Sequence, residues 1–143
     1  LAAEPAAEPV AVRYEHMFFE EINRTRFERG LKPLVWNDDV AAIAKYHSLN
    51  MASQNFFGHR DRLGYSVADR ADAHGLRKWR MIGENLAYCN GFRDPVATTV
   101  EAWLESSGHR KNLLRKKWQE TGIGVAMDQR GRIFVTQVFL KRK

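Results

Sequence analysis

An alternating pattern near the C-terminus places the strongest constraint on the fold. Between Thr121 and Asp128, large apolar residues alternate with glycine and alanine. Such alternation is typical of a strand, because successive side chains point to opposite faces of a sheet. A turn-forming run follows at residues 129–131, and residues 132–140 are rich in Ile, Val, Phe and Thr. We therefore predict an antiparallel hairpin at the C-terminal end.

Helical patterns precede this hairpin, so the predicted fold class is α/β. Apolar residues recur at helical spacing from Arg13 to about Glu28, and Asn37 is a typical N-cap for a second helix, with His47 on its apolar face. Asp94-Pro95 is a strong start signal for a later helix, which we expect Gly108 to end. An extended segment is predicted between these helices at residues 79–88.

The 143 residues match the size of one domain. Residues 1–12 are mostly Ala, Pro, Glu and Val, which predicts a flexible leader of the kind that remains after an export signal, and residues 13–143 are the predicted folded domain. Cys89 is the only cysteine, so no intramolecular disulfide can form and the fold depends on packing. No run approaches the roughly 18 apolar residues of a membrane span.

The chain is basic, with a formal net charge of +6 at pH 7. Much of this charge follows His109, in the basic cluster Arg110, Lys111, Arg115, Lys116 and Lys117. One interpretation is a solvated face that keeps the domain soluble, and the other is attraction to an anionic surface such as acidic lipid or glycan. Nucleic acid is not indicated, because no nucleic-acid-binding module accompanies the charge.

Several short motifs occur in an order that resembles one known family. They are Phe57-Gly58-His59, Gly83-Glu84-Asn85-Leu86-Ala87, Trp103, Ser107-Gly108-His109-Arg110-Lys111-Asn112-Leu113-Leu114, Gly122-Ile123-Gly124-Val125-Ala126 and Thr136-Gln137-Val138-Phe139. Together they resemble the CAP superfamily of cysteine-rich secretory, antigen 5 and pathogenesis-related-1 proteins, also called the SCP-like domain. The resemblance covers residues 14–140. It is to the bacterial branch, in which the animal disulfides are absent.

The resemblance implies a three-layer α-β-α sandwich with a central antiparallel sheet, and a protein that is secreted or associated with the cell envelope. It also implies a polar cleft in which His59, Glu84 and His109 match three family positions. A second glutamate of animal members, three residues after the helix tryptophan, is replaced here by Ser106.

Two imidazoles and a carboxylate suit Zn²⁺ or another divalent ion, so His59, His109 and Glu84 are candidate metal ligands. The alternative is that Glu84 holds the cleft together through hydrogen bonds, without metal. We expect a binding protein whose ligand is a lipid, sterol, peptide or cell-envelope component contacted by His59, Glu84, Ser106 and His109. The alternative function is a metal-dependent, peptidase-like hydrolase with His59, Glu84 and His109 as catalytic candidates, although no HExxH or GxSxG motif is present.

Overall fold

A four-stranded sheet lies between helices in the computed structural model, which describes residues 8–143. Residues 1–7 of the expected leader lie outside the described residues. In chain order the elements are α1 (Val10–Phe27), β1 (Val35–Trp36), α2 (Asp38–Gln54), α3 (Val67–Ala73), β2 (Trp79–Cys89), α4 (Pro95–Glu105), α5 (Ser107–Leu113), β3 (Glu120–Met127) and β4 (Ile133–Arg142).

The strand order is β1-β3-β4-β2. β4 pairs antiparallel with both β3 and β2, which confirms the C-terminal hairpin and the antiparallel centre of the sheet. The two-residue strand β1 pairs parallel with β3, so the sheet is not antiparallel throughout. β2 carries the Gly83-Glu84-Asn85 motif and forms one edge, which leaves its outer side available to neighbouring loops and helices.

The alternation of β4 divides the core between two layers, as expected for an α-β-α sandwich. Val135 and Phe139 belong to a cluster with residues of α1, α4 and α5. Val138 and Leu140 instead join a cluster with residues of α2 and α3. Successive strand residues thus face opposite helical layers, because side chains alternate across a sheet.

The small residues of β3 let α2 pack directly on the strand backbone. A Cβ atom on Gly122 would lie 2.1 Å from the backbone nitrogen of Ala41, and one on Gly124 would lie 2.2 Å from that of Lys45. Neither distance is compatible with a side chain, so glycine is required at both positions. The glycines that alternate with large apolar residues in β3 are therefore explained by the close contact between α2 and β3.

Two predicted boundaries differ from the structure. α1 begins at Val10 rather than Arg13, and Ala11 packs against the core, so the helix includes the last residues of the expected leader. The expectation that Gly108 ends a helix was wrong: α4 ends at Glu105, and Gly108 lies inside α5. The break falls at Ser106, whose backbone is extended, with φ −98° and ψ 120°.

Candidate functional site

A cleft of about 850 Å³ opens beside the edge strand β2. The loop between α2 and α3 forms one wall, and α4 with the start of α5 forms the other. The lining residues are Phe57, Gly58, His59, Leu86, Ala87, Tyr88, Cys89, Phe92, Thr98, Thr99, Ala102, Trp103, Ser106 and His109. The structure thus places His59, Ser106 and His109 at one cleft, while Glu84 lies buried beside His59.

Glu84 is held in a buried ion pair that the sequence did not reveal. Its Oε2 accepts a hydrogen bond from Arg70 Nη1 at 2.9 Å, and the side chains of Glu84 and Arg70 are 2% and 1% exposed. Burial opposes ionisation of Glu84, but hydrogen bonds from His59 and Arg70 outweigh it and lower the pKa of the carboxyl. The sequence could indicate only that a buried carboxylate needs a partner, and it did not identify Arg70 as that partner.

His59 is oriented by Glu84. The distance from His59 Nδ1 to Glu84 Oε1 is 2.9 Å, and this hydrogen bond raises the pKa of the imidazole, against the opposing effect of burial. A guanidinium nitrogen of Arg70 also donates to the His59 backbone carbonyl. With Nδ1 engaged, Nε2 is the ring nitrogen left for a ligand in the cleft.

His109 enters the cleft from α5 in a different environment. Its Nδ1 lies 2.8 Å from Ser106 Oγ, and its ring stacks on Trp103 with the ring centroids 6.4 Å apart. Burial, and then the nearby charge of His59, lower the pKa of His109. Ser106 therefore supplies a neutral hydroxyl, at the position where animal members carry the second glutamate, as the partner of this histidine.

Two buried or half-buried asparagines attach α5 to the edge strand. Asn85 Nδ2 donates to the His109 carbonyl at 3.1 Å, and Asn112 Nδ2 lies 3.1 Å from Asn85 Oδ1. Trp118 Nε1 donates to the Asn112 carbonyl at 2.9 Å. Both asparagines stand in the motifs that carried the family resemblance, but their role in positioning His109 was not inferred from the sequence.

The prediction of a three-ligand metal set did not include the hydrogen bonds that Glu84 makes. Within residues 8–143, no group of three or more His, Cys, Asp or Glu side chains is arranged to hold a metal ion. Both Glu84 oxygens are already engaged by His59 and Arg70. Glu84 therefore fits as the group that orients a histidine, a common role for carboxylates behind metal ligands. Metal binding by His59 and His109 stays a prediction.

His47 is a core histidine rather than a cleft residue. It is fully buried, and its Nε2 lies 2.8 Å from the Gly58 carbonyl, to which the neutral ring donates. Burial lowers the pKa of His47 below its ordinary value near 6.5. The unfolded chain therefore binds a proton more readily than the native state.

The lowered pKa of His47 in the native state predicts that the domain loses stability in acid. The contribution of His47 to the free energy of unfolding is greatest above a pH of about 6.5 and falls as the pH drops below that value. Urea unfolding between pH 7.5 and 5 should show a smaller loss of stability in His47→Gln, which does not titrate, than in the wild type. Equal losses in the two proteins would contradict this role for His47.

The profile described as the cysteine-rich secretory protein family, CAP, matches residues 19–139. The chain belongs to the CAP family. Among curated proteins, the chain is 37% identical over 128 residues to the uncharacterized membrane protein YlbC of Bacillus subtilis, and the match covers 90% of this chain and 34% of the relative. It is 34% identical over 111 residues to the B. subtilis protein YkwD, covering 78% and 42%. The chain thus spans less than half the length of these relatives.

Solved structures of other proteins share the fold. An extracellular protein with an SCP domain from Bacillus anthracis has a TM-score of 0.82 and 26% identity, and the match covers 97% of this chain and 45% of that one. An outer surface protein of Borrelia burgdorferi has a TM-score of 0.84 at 19% identity, covering 97% and 100%. These matches confirm the predicted family and α-β-α fold. Between residues 8 and 143, no helix has the length and apolar character of a membrane span.

Proposed function

We propose that this CAP domain is an extracytoplasmic binding module, whose cleft takes an amphipathic lipid-like ligand with its polar end at His59 and His109. The single observation that carries this proposal is the mainly apolar lining of the cleft beside a small group of polar side chains. Phe57, Leu86, Tyr88, Phe92 and Trp103 supply apolar surface. His109 lies 2.8 Å from Ser106 Oγ, and His59 is near enough for its charge to lower the pKa of His109.

The size of the cleft agrees with this ligand class. A volume of about 850 Å³ lies within the usual range for small-molecule pockets, which are mostly apolar with a few polar groups that fix orientation. The extracytoplasmic location draws on relatives, since one similar structure is an extracellular protein and another an outer surface protein. Sterols, peptides and glycans are alternative ligands, and their binding to the cleft can be tested in the same way as lipid binding.

Blocking the cleft should abolish this binding. Ala102 lies on α4 and lines the cleft. We expect Ala102→Trp to weaken binding of a dansyl-labelled fatty acid at least about tenfold, or about 1.4 kcal/mol, because the indole would occupy the ligand's volume. Fluorescence titration measures the effect, with Ala42→Trp on the exposed face of α2 as the matched control. Equal affinity in both variants, or no binding by the wild type, would count against a lipid-like ligand.

The second candidate, a metal-dependent hydrolase, depends on the paired imidazoles. Both histidines make their hydrogen bonds through Nδ1, so both Nε2 atoms remain for a divalent ion. Such an ion, when bound, would supply Lewis-acid activation of water. His59, oriented by Glu84, and His109, positioned by Asn85, are the residues that would hold it.

Zinc titration tests this candidate. Calorimetry at pH 7.5 should show binding that is lost in His59→Ala and in His109→Ala, and lost at pH 5, because a protonated imidazole cannot ligate. Glu84→Gln should weaken binding about 10- to 100-fold, as expected for a group that orients a ligand. His74→Ala removes an exposed histidine outside the cleft and should change nothing. Equal binding at both pH values would exclude the histidine pair.

The basic cluster at and after α5 favours an anionic partner. Within residues 8–143, none of its five cations forms an ion pair, and Arg115 lies over the ring of Trp118 at 5.6 Å. Because the cluster begins directly after His109, it would attract acidic lipid or glycan toward the cleft. Exposed charges are screened over about 8–10 Å at physiological ionic strength, so this attraction should weaken with added salt.

A further inference from the structure

Exposed apolar side chains occur both in the cleft lining and on the α2–α3 loop that forms one of its walls. We call this set the rim, and it consists of Phe57, Leu63, Tyr65, Tyr88 and Phe92, all of which are exposed. Leu63 is 76% exposed, an unusual position for a leucine in a loop with a defined conformation. Three members of the rim, Phe57, Tyr88 and Phe92, also line the cleft, and Leu63 and Tyr65 follow Phe57 on the loop between α2 and α3.

The loop that carries Leu63 and Tyr65 is anchored at its base and shaped at its tip. Buried His47 contacts the Gly58 carbonyl, and buried Arg70 donates to the His59 carbonyl. At the tip, the Asp61 carboxylate accepts hydrogen bonds from the backbone nitrogens of Leu63 and Tyr65, both at 2.9 Å. The tip is therefore held outward with its apolar side chains in water, which costs free energy unless a partner covers them.

Three exposed arginines lie close to rim residues along the chain. Arg60 and Arg62 precede Leu63, and Arg93 follows Phe92; none of the three has an ion-pair partner within residues 8–143. Arg60 and Arg62 each use one guanidinium nitrogen for a backbone carbonyl, so other N–H groups remain for phosphate oxygens. Asp61, the only acid between residues 55 and 65, is occupied by backbone nitrogens.

We propose that the rim docks onto an anionic lipid bilayer, with Leu63 and Tyr65 inserted at the headgroup level and the mouth of the cleft facing the membrane. Aromatic and arginine side chains beside exposed aliphatic ones are typical of this interface. A single loop tip offers little of the roughly 800 Å² that each partner buries in a standard protein interface. The proposal rests on the proposed function, because a lipid-like ligand could then pass between bilayer and cleft without crossing water.

Vesicle sedimentation tests the docking directly. Wild-type protein should bind vesicles of phosphatidylcholine mixed with phosphatidylglycerol, and bind them more weakly as salt is added. The double variant Leu63→Ser/Tyr65→Ser should bind at least about tenfold more weakly, because it removes the apolar groups that enter the bilayer. Phe27→Ser is the matched control, since Phe27 is also 76% exposed but lies at the end of α1. It should bind as the wild type does.

A fluorescent label at the loop tip gives a second test, because its emission should increase when the tip enters the bilayer. Cys89 is a free cysteine in the cleft lining, so serine replaces it in the labelled variants. A nitrobenzoxadiazole label on Leu63→Cys then reports the loop tip alone, and its emission should rise on adding vesicles, while the same label on Phe27→Cys should not respond. Unchanged vesicle binding by Leu63→Ser/Tyr65→Ser, or unchanged emission from the Leu63→Cys label, would overturn the proposal. Loss of vesicle binding only in Arg115→Gln/Lys116→Gln/Lys117→Gln would also overturn it, because the membrane contact would then belong to the basic cluster. Leu63 and Tyr65 do not line the cleft, so the double variant should still bind the dansyl-labelled fatty acid in solution, which separates this proposal from the proposed function.

Discussion

Replacing Gly122 or Gly124 with alanine is expected to destabilise the domain by more than about 3 kcal/mol, beyond the usual range for overpacking. The added methyl group would meet the α2 backbone at 2.1 or 2.2 Å, and backbone cannot move aside as a flexible side chain can. α2 would have to separate from β3, which would disturb the core on that face of the sheet. Urea unfolding of each variant measures the loss directly.

Two other glycines provide matched controls for this prediction. A Cβ on Gly58 would come no closer than 3.9 Å to another residue, and one on Gly108 would meet nothing within 4 Å. Gly58→Ala and Gly108→Ala should therefore keep close to wild-type stability, and Gly108→Ala lies in a helix, where alanine is favoured. If Gly122→Ala proves as stable as these controls, the close packing of α2 on β3 is incorrect.

Arg70→Met should lower the free energy of unfolding by about 3–5 kcal/mol, the cost of breaking a buried ion pair. The substitution would leave the Glu84 carboxylate buried and without its cation, and would remove the hydrogen bond to the His59 carbonyl. Because Glu84 orients His59, the cleft should also be affected. The imidazole signals of His59 in NMR spectra should therefore move, beyond what a loss of stability alone would cause.

Removing both partners separates the ion pair from simple packing. Arg70→Met/Glu84→Met leaves no uncompensated charge, so it should recover much of the stability lost in Arg70→Met. Arg24→Met removes an exposed arginine that pairs with Glu21 and Glu28, and it should change the free energy of unfolding little. A double variant no more stable than Arg70→Met would show that the arginine contributes mainly through its hydrogen bond to the His59 carbonyl.

The pKa values of the two cleft histidines are shifted in opposite directions, and this affects which ligand groups the cleft can bind. Glu84 raises the pKa of His59, while burial and the charge of His59 lower the pKa of His109. Near neutral pH, His59 is therefore the ring more readily protonated, and it can donate to an acidic ligand group while His109 stays neutral. A carboxylate or phosphate at the polar end of an amphipathic ligand suits this pair.

Local sequence signals determined much of the fold of this CAP domain. Asn37 caps α2 and Asp94 caps α4, as their residue types and the following Asp or Pro predicted. The alternation over β3 and β4 predicted the hairpin, because a period of two follows from strand geometry alone. These features depend on neighbours within a few residues, and so they can be recognised in the sequence.

Other outcomes were not recognisable in the sequence. The break between α4 and α5 falls at Ser106 rather than Gly108, and the Ser106 hydroxyl contacts His109 instead of capping α5. Nothing in the sequence around Arg70 marked it as the partner of Glu84, 14 residues away on another element. Without that pairing, Glu84 was a reasonable metal ligand; with it, the carboxylate is already engaged.

The sequence by itself determined the helices, the hairpin and the family motifs that contain His59, Glu84 and His109. The tertiary structure decided how those side chains act, because the sheet edge brings the α2–α3 loop, β2 and α5 together from segments far apart along the chain. Only that arrangement reveals that Glu84 is paired with Arg70, that Asn85 and Asn112 position His109, and that the exposed Phe57, Tyr88 and Phe92 line the cleft. The physical reason is that hydrogen bonds and burial depend on distance in space, which residue spacing along the chain does not specify.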